Sequence, residues 1–339
     1  MATMKEIAEL SGVSRGTVDR VLNHRGIVNA ETERKVLEIA KLLDYQPNKA
    51  GIALAAQKKK LKIGVLLFGA GNPFFDEVMD GLRQKLEELS IYGCTVIERR
   101  ISFDLQSQLQ TIDELLKEEI HGLILSPYND PAIQEKIDLL WENGIPCITI
   151  NTDMPDSKRI AYVGSDYHKC GQTAAGLLHL FSGDYASVGI VTGSHNVLCH
   201  EERISGFTSH LHTKHPNIRI VDVVENGDDD YKSYEVVSDL LDRHPDLSAL
   251  YFTAAGVYGG CRAVLNASLQ RPLKIITFDA VLSTCEMIRN GVISATICQQ
   301  PDEQGARSLS LLVDYLLTGK LPENRCIYMD LSIKIAENL

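Results

Sequence analysis

Two kinds of hydrophobic patterning divide this 339-residue chain. Up to about residue 60, apolar residues recur at three- and four-residue spacing in short stretches broken by polar turns. That spacing predicts short helices. Thr3-Met4-Lys5-Glu6 has the order of a capping box at the head of the first. Gly12-Val13 supplies a tight turn, and Ser14 is placed to cap a second helix from Arg15 to about Leu22. Asn29 heads a third, whose expected apolar stripe is Val36, Ile39, Leu42 and Leu43, closing a small core with Ile7, Ala8, Val13, Val18 and Val21. Two short helices joined by a glycine-containing turn describe a helix-turn-helix, whose second helix is shaped for the DNA major groove.

Past Lys60 the pattern changes to continuous apolar runs: Ile63–Phe68, Thr95–Ile97, Gly122–Leu125, Cys147–Ile150, Val188–Val191, Ile220–Val224, Ala249–Phe252 and Ile275–Phe278. Amphipathic stretches separate them, among them 76–89, 105–117, 131–142, 169–180 and 234–242. Apolar strands alternating with helices predict parallel sheets covered on both faces. Eight such units exceed one compact sheet, so the expected fold is α/β: an N-terminal all-α headpiece (1–47), a linker (48–60), and two doubly wound parallel-sheet lobes (61–339). Clefts in such lobes open beyond the carboxyl ends of strands, which directs attention to residues just after each run. These are polar or aromatic, as suits a small polar ligand.

Charge sharpens the division. The whole chain carries a formal charge of -11, but residues 1–60 hold 11 Lys and Arg against 7 Asp and Glu. A basic headpiece on an acidic body gives DNA contact its electrostatic part and discourages indiscriminate binding by the body. The eight cysteines are scattered without a Cys-x-x-Cys pair and are expected to be free thiols in a reducing compartment. The capped polar helix at the head of the chain predicts no export signal, no run approaches membrane-spanning length, and a cytoplasmic protein is expected.

Other motifs carry less. Gly69-Ala70-Gly71 would need its third glycine at Phe74 to form a dinucleotide loop, so no nicotinamide cofactor is expected. His210, His212 and His215 read as a solvated cluster rather than a metal site. Asp228-Asp229-Asp230 reads as a turn that could border the cleft beside Tyr231, and Trp141 as a packing residue. No catalytic constellation stands out, so the expectation is a protein that is not an enzyme and holds no metal.

The motif GVS-x-x-TV-x-RVLN-x-x-G-x-V-x-x-ET-x-x-KV over Gly12–Val36, continued by L-x-Y-x-PN-x-A over Leu43–Ala50, resembles the headpiece of the LacI/GalR family of bacterial transcription regulators. The resemblance puts Arg15, Gly16 and Arg20 at base-contacting positions, where arginine's planar fork can bond guanine O6 and N7 together. Asp19 departs from the usual serine; on the DNA-facing helix it is expected either to accept from a cytosine amine or to pair with a neighbouring arginine, the favoured reading. Ser14, Thr17 and Asn23 read as caps and phosphate ligands, and the helix caps Thr3 and Asn29 join them on the DNA-facing list. Residues 48–55 resemble the family's hinge helix, with Asn48 and Lys49 flanking and Leu54 as the wedge that enters the minor groove. Gly51 weakens that helix, in keeping with a segment ordered on DNA.

Residues 61–339 resemble the type I, ribose-type periplasmic sugar-binding fold that this family uses as its sensor. The resemblance implies effector contacts from Asn72, Phe74, Phe75, Arg203, Asp279 and Gln299. It departs at Asn151-Thr152, with Asp153 next, where the ribose type has Asp-Arg. It departs again at Ala254-Ala255, where Asn-Asp is usual. Ribose itself is therefore not the expected effector; another monosaccharide, a polyol or a derivative is. The resemblance implies a homodimer, with a tetramer the alternative, reading a pseudo-palindromic operator under allosteric control. Repression relieved by effector is the expected mode. A non-sugar effector, a corepressor mode and, more remotely, a sugar transport-binding protein are the alternatives.

Overall fold

The computed structural model describes every residue except 1, 23–27, 46–52, 54–55, 58, 69–71 and 196. Three helices form the headpiece: α1 (Met4–Ser11), α2 (Arg15–Leu22) and α3 (Ala30–Leu42). The capping box forms as its sequence requires, with Glu6 N donating to Thr3 Oγ1 (3.3 Å) and Thr3 N to Glu6 Oε2 (2.8 Å). Gly12 ends α1 at φ +72°, a left-handed conformation that costs glycine least. Thr17 N donates to Ser14 Oγ and Glu31 N to Asn29 Oδ1, so each predicted cap serves its helix. Ile7, Ala8, Val18, Val21, Val36 and Ala40 form the buried core. Leu42 corrects the expected stripe: it is 82 % exposed, because Val36 and Ala40 lie one turn apart on the inner face and Leu42 turns away.

The body is two lobes with the same strand order. The N-terminal lobe is built on β1 (Lys62–Phe68), β2 (Thr95–Ile101), β3 (Gly122–Leu125), β4 (Cys147–Ile150) and β5 (Ala161–Gly164). The C-terminal lobe uses β6 (Ala186–Thr192), β7 (Ile218–Glu225), β8 (Ala249–Phe252), β9 (Lys274–Phe278) and β10 (Ala295–Cys298). Each sheet runs second, first, third, fourth, fifth strand, all parallel. Two short strands complete them: β11 (Cys326–Tyr328) joins β5 in parallel, and β12 (Ser332–Lys334) joins β10 antiparallel. Apolar clusters cover both faces of each sheet, as continuous hydrophobic strands demand.

The helices of the N-terminal lobe are α4 (Pro73–Glu88), α5 (Leu105–Lys117) and α6 (Pro131–Glu142). Those of the C-terminal lobe are α7 (Tyr167–Ser182), α8 (Leu198–Lys214), α9 (Asp230–Arg243), α10 (Val257–Asn266) and α11 (Leu282–Arg289). The last, α12 (Pro301–Thr318), returns to pack against α4. The chain thus crosses between lobes three times, after β5, after β10 and after β11. Among the described residues no helix is long and apolar enough to cross a membrane.

Four strands escaped the sequence pattern. β5 and β10 mix apolar with small or polar residues, β11 and β12 are three-residue strands at the sheet edges, and the pairing of β11 and β12 is decided by neighbours distant in sequence. Strand β2 runs on to Ile101, past the expected Ile97, through Glu98-Arg99-Arg100. It lies at the sheet edge, where charges are tolerated.

One helix contact places the site. α8 crosses α7 so closely that a Cβ at Gly171 would lie 2.1 Å from the Arg203 carbonyl oxygen and 2.6 Å from Phe207 N. Gly171→Ala should therefore push α8 outward, lowering the melting temperature by roughly 1–3 kcal/mol equivalent and weakening effector binding with it. Gly176→Ala on the same helix meets nothing within 4 Å and should be neutral or slightly stabilising. Paired melting curves check both; equal behaviour would show that the contact is not tight.

Candidate functional site

The cleft between the lobes is a cavity of about 670 Å³. Its N-terminal wall is aromatic and uncharged. Asn72 caps α4, accepting from Phe74 N at 3.0 Å, which turns its amide NH2 free for other acceptors. Phe74 and Phe75 follow on the first turn with rings edge to face at 5.2 Å. Phe68 from the end of β1 packs on Phe103 at 4.7 Å. Ser126, Asn151 and Thr152, from the ends of β3 and β4, complete this wall. Ser126 Oγ and Thr152 Oγ1 are buried without a protein partner. Buried hydroxyls of that kind are rare in folded proteins unless something else satisfies them.

The C-terminal wall is a hydrogen-bond chain. Arg203, 4 % exposed, lies on α8 with its guanidinium carbon 3.8 Å from the Phe278 ring centroid and 4.7 Å from that of Tyr167. It donates to the Thr253 carbonyl (2.5 Å) and to Gln299 Oε1 (2.7 Å). Gln299 Nε2 in turn lies 2.9 Å from both Asp279 oxygens. Burial pushes the Asp279 carboxyl up to about 6, against the opposing pull of Arg203 and Gln299. The segment around Asp228, Asp229, Asp230 and Tyr231 also lines the cleft, as do Cys199 and His200.

Backbone strain gathers at the same place. Asn151 (φ +64°), Asp228 (φ +60°), Asp279 (φ +64°) and Gln300 (φ +53°) are non-glycine residues in the left-handed region, all at or beside strand ends facing the cleft. Such conformations cost energy and persist where the surroundings hold them, often at binding sites. Tyr162 holds Asn151 by donating its hydroxyl to the Asn151 carbonyl at 2.9 Å.

Of the effector residues expected from sequence, Asn72, Phe74, Phe75, Asn151, Thr152, Arg203, Ala254, Asp279 and Gln299 all line this one cavity. Asp153 does not. Its carboxylate accepts from Arg159 Nη2 (2.6 Å), Thr149 Oγ1 (2.6 Å) and Met154 N (2.7 Å), and that buried pairing leaves it structural. Sequence reasoning did not single out Ser102 or Phe103; Ser126 and His200 fall in segments after the runs Gly122–Leu125 and Val188–Val191 that it directed attention to, without a role of their own. The first two follow β2, whose charged end disguised its length; His200 precedes Arg203 by three residues on α8 and lies within a segment already marked as facing the cleft.

The headpiece offers α2 as its outward element. Arg15, Gly16 and Arg20 are exposed on it, with Arg20 Nε 3.2 Å from the Gly16 carbonyl and Nη2 3.3 Å from Thr17 Oγ1. A Cβ at Gly16 would meet only Ser14 Oγ at 3.7 Å, so nothing within the protein demands glycine there. Asp19 and Arg15 both bear on the half-buried Tyr45 hydroxyl, whose pKa is raised chiefly by burial, further by Asp19, and lowered by Arg15. Asn23, Asn48, Lys49 and Leu54 lie outside the described residues, as does Gly69-Ala70-Gly71.

The remaining motifs resolve simply. His215 stacks on His179 (3.8 Å) and lies 5.7 Å from His210. Trp141 packs near Tyr315 at 6.0 Å. All eight cysteines are free, four of them buried.

Comparison with known proteins agrees with this geometry. Residues 63–321 match the periplasmic binding protein domain, and residues 3–48 match bacterial regulatory proteins of the lacI family. Catabolite control protein A of Staphylococcus aureus is 26 % identical over 326 residues, 95 % of this chain and 94 % of its own. The HTH-type transcriptional regulator MalR of Clostridium butyricum is 28 % identical over 336 residues, 96 % of each. Among solved structures, GanP, a glucose-galactose binding protein from Geobacillus stearothermophilus, superposes with a TM-score of 0.75 at 25 % identity, covering 83 % of this chain and 99 % of that one. A sugar-binding protein of that kind leaves the three-helix headpiece unaccounted for, and a headpiece alone leaves the cleft. The chain belongs to the lacI family of bacterial regulatory proteins: it is a DNA-binding transcription regulator whose body is a periplasmic binding protein domain.

Proposed function

We propose that this regulator is controlled by a small sugar or polyol held between its two lobes. The observation that carries the reading is the pairing of an aromatic, uncharged wall on one lobe with the Arg203–Gln299–Asp279 chain on the other. Rings suit the apolar face of a sugar, and buried donors and acceptors suit its hydroxyls. Ser126 Oγ and Thr152 Oγ1, buried without protein partners, add two more groups for such a ligand. Burial pushes the Cys199 thiol, which lines the cleft, up to about 12, so it stays protonated and is suited to packing against a ligand. The likeness to GanP, named as a glucose-galactose binding protein, points to the same ligand class.

Control must pass by linkage. A ligand that binds the closed lobes better than the open ones shifts that equilibrium, and operator affinity shifts reciprocally if the headpieces feel lobe closure. Two headpieces of a homodimer would read two half-sites of a pseudo-palindromic operator, with repression relieved by effector as the mode and the cytoplasm as the place. Arg15, Gly16 and Arg20 would meet bases, Ser14 and Thr17 phosphates, and Leu54 the minor groove.

The direct experiment is a gel shift of the purified protein on its own upstream DNA in moderate salt, with and without candidate sugars. Retarded DNA released by one sugar is expected. A protein that retards no DNA fragment would refute the operator part, and retardation indifferent to every sugar and polyol would refute the effector part.

A further inference from the structure

Resting on the sugar reading above, we infer that Asp228, backed by His200, reads the ligand on the C-terminal lobe in place of the side chains that Ala254 and Ala255 lack. We infer equally that the cleft takes uncharged or amine-bearing sugars and polyols and turns away phosphorylated and acidic ones. The alanines are not simply lost contacts. The loop after β7 is bound to the backbone beside them. Asn226, fully buried, donates from Nδ2 to the Ala255 carbonyl at 2.8 Å, and Ala255 N donates to Asp228 Oδ1 at 2.9 Å. Both backbone polar groups of Ala255 are thus taken by residues 226–228. A Cβ at Gly256 would come 2.4 Å from Asn226 Nδ2, so the loop sits as close as the backbone permits.

This attachment holds the Asp228 carboxylate at the cleft. Gly227 (φ +63°) and Asp228 (φ +60°) make two left-handed residues in succession, and Asp228 N is held by Asn226 Oδ1 at 2.9 Å. Its other oxygen and the His200 ring flank Gly193 from the same side: a Cβ there would lie 2.6 Å from Asp228 Oδ2 and 2.6 Å from His200 Cε1. His200 Nδ1 faces the backbone of Ser194, 3.2 Å from its N and 3.3 Å from its carbonyl oxygen, which leaves Nε2 as the ring nitrogen not engaged by that loop. Burial, outweighing Asp228, holds His200 in its neutral form. A carboxylate acceptor and a neutral imidazole therefore border the cleft together, a pairing that fits adjacent hydroxyls, which can donate to the one and donate to or accept from the other.

The charge balance fixes the ligand class. The charged side chains that line the cavity are Asp228, Asp229, Asp230 and Asp279 against Arg203. Arg203 is already shared between Thr253 and Gln299 and enclosed by two rings. A phosphate or carboxylate would enter a field of four carboxylates, with Lys232, whose Nζ would lie 3.7 Å from a Cβ on Gly227, as the countercharge at its edge; like charges brought together discriminate against the wrong ligand. An ammonium would meet the opposite situation.

The test uses the full-length protein and a melting-temperature screen with D-galactose, D-glucose, D-xylose, D-ribose and glycerol, D-glucosamine and D-galactosamine, and D-glucose 6-phosphate, D-ribose 5-phosphate and D-glucuronate. A shift confined to the first two groups is expected. Calorimetric titration of the probe giving the largest shift should then show affinity falling on the order of tenfold or more in Asp228→Ala, Asp228→Asn and Gly193→Ala. Asp228→Asn keeps the shape and the acceptor for Ala255 N, and Gly193→Ala removes no polar group, so a fold defect in the alanine variant does not decide the matter. Binding of a phosphorylated or acidic sugar as tightly as its neutral parent overturns the proposal. So does wild-type affinity in all three variants. A screen in which no probe shifts the wild-type protein overturns the sugar reading itself, and this inference falls with it.

Discussion

Arg203→Ala is expected to abolish the effector response at any attainable sugar concentration while the protein still retards operator DNA. The guanidinium is the junction of the C-terminal wall: it donates to the Thr253 carbonyl and to Gln299 Oε1 and is sandwiched by Phe278 and Tyr167. Truncation leaves the carbonyl and the amide oxygen without their buried donor, each costing about 1–3 kcal/mol. Gln299 is then free to turn, and Asp279 loses both its orienting partner and the nearby charge that restrains its carboxyl. Combined losses of about 2–6 kcal/mol correspond to roughly thirtyfold to ten-thousandfold in affinity. Arg203→Lys should not rescue, because a single ammonium cannot bridge Thr253 and Gln299 while stacking between rings. Calorimetry with a gel shift in parallel checks this; a variant that releases operator DNA at the wild-type sugar concentration would place the binding chemistry elsewhere.

The same wall predicts a direction with pH. Asp279 is raised to about 6, so below that it is protonated in the free protein, while hydroxyl donors bind its ionised form. Effector affinity should therefore strengthen as pH rises through about 6, and Asp279→Asn should weaken binding and flatten the dependence.

How much of this could be read from the chain alone differs by element. The headpiece was legible almost residue by residue, because caps, turn and apolar spacing are local: Thr3, Gly12, Ser14 and Asn29 act within four residues of themselves. The long buried strands were legible because a parallel sheet buried on both faces leaves an unbroken apolar run. Length alone does not decide it, since β3, β4 and β8 are also four residues long; β5 (Ala-Tyr-Val-Gly) and β10 (Ala-Thr-Ile-Cys) mix apolar with small or polar residues, and β11 and β12 are three-residue strands at the sheet edges, so none stood out. At the cleft, Arg203, Asp279 and Gln299 were found by resemblance, but not the bond chain that joins them, which depends on how two strand ends and a helix meet. Asp153 was misplaced for the same reason: nothing local announces that Arg159, six residues on, claims its carboxylate. Asp228 was marked as a turn that could border the cleft, but its role as the neighbour of Ala255 needs both loops in space.

Raising salt from about 50 to 200 mM should weaken operator binding by a factor on the order of a thousand or more, if the two headpieces of a dimer together neutralise some six to ten phosphates. The argument begins with the charge division: residues 1–60 carry a surplus of 4 positive charges and the rest of the chain a deficit of 15. Long-range attraction can then come only from the headpiece, and it works against the body's own repulsion of DNA, so screening should be felt steeply. Substitutions separate the contributions. Arg15→Ala or Arg20→Ala removes a charge, which should lower affinity and also make the salt dependence shallower where the contact is to phosphate. A base contact made by the same arginine would show instead as relaxed sequence preference at one operator position. Leu54→Ala carries no charge. If Leu54 is the proposed minor-groove wedge, the variant should lose operator affinity by a similar amount at every salt concentration, leave the slope unchanged, and leave sugar affinity nearly intact, because unstacking a base step is not an ion-release process. Binding isotherms at four salt concentrations distinguish these outcomes. A flat profile in the wild-type protein would mean that phosphate contacts do not lead the docking, and equal loss of sugar and operator affinity in Leu54→Ala would mean that the residue supports the body and not the DNA.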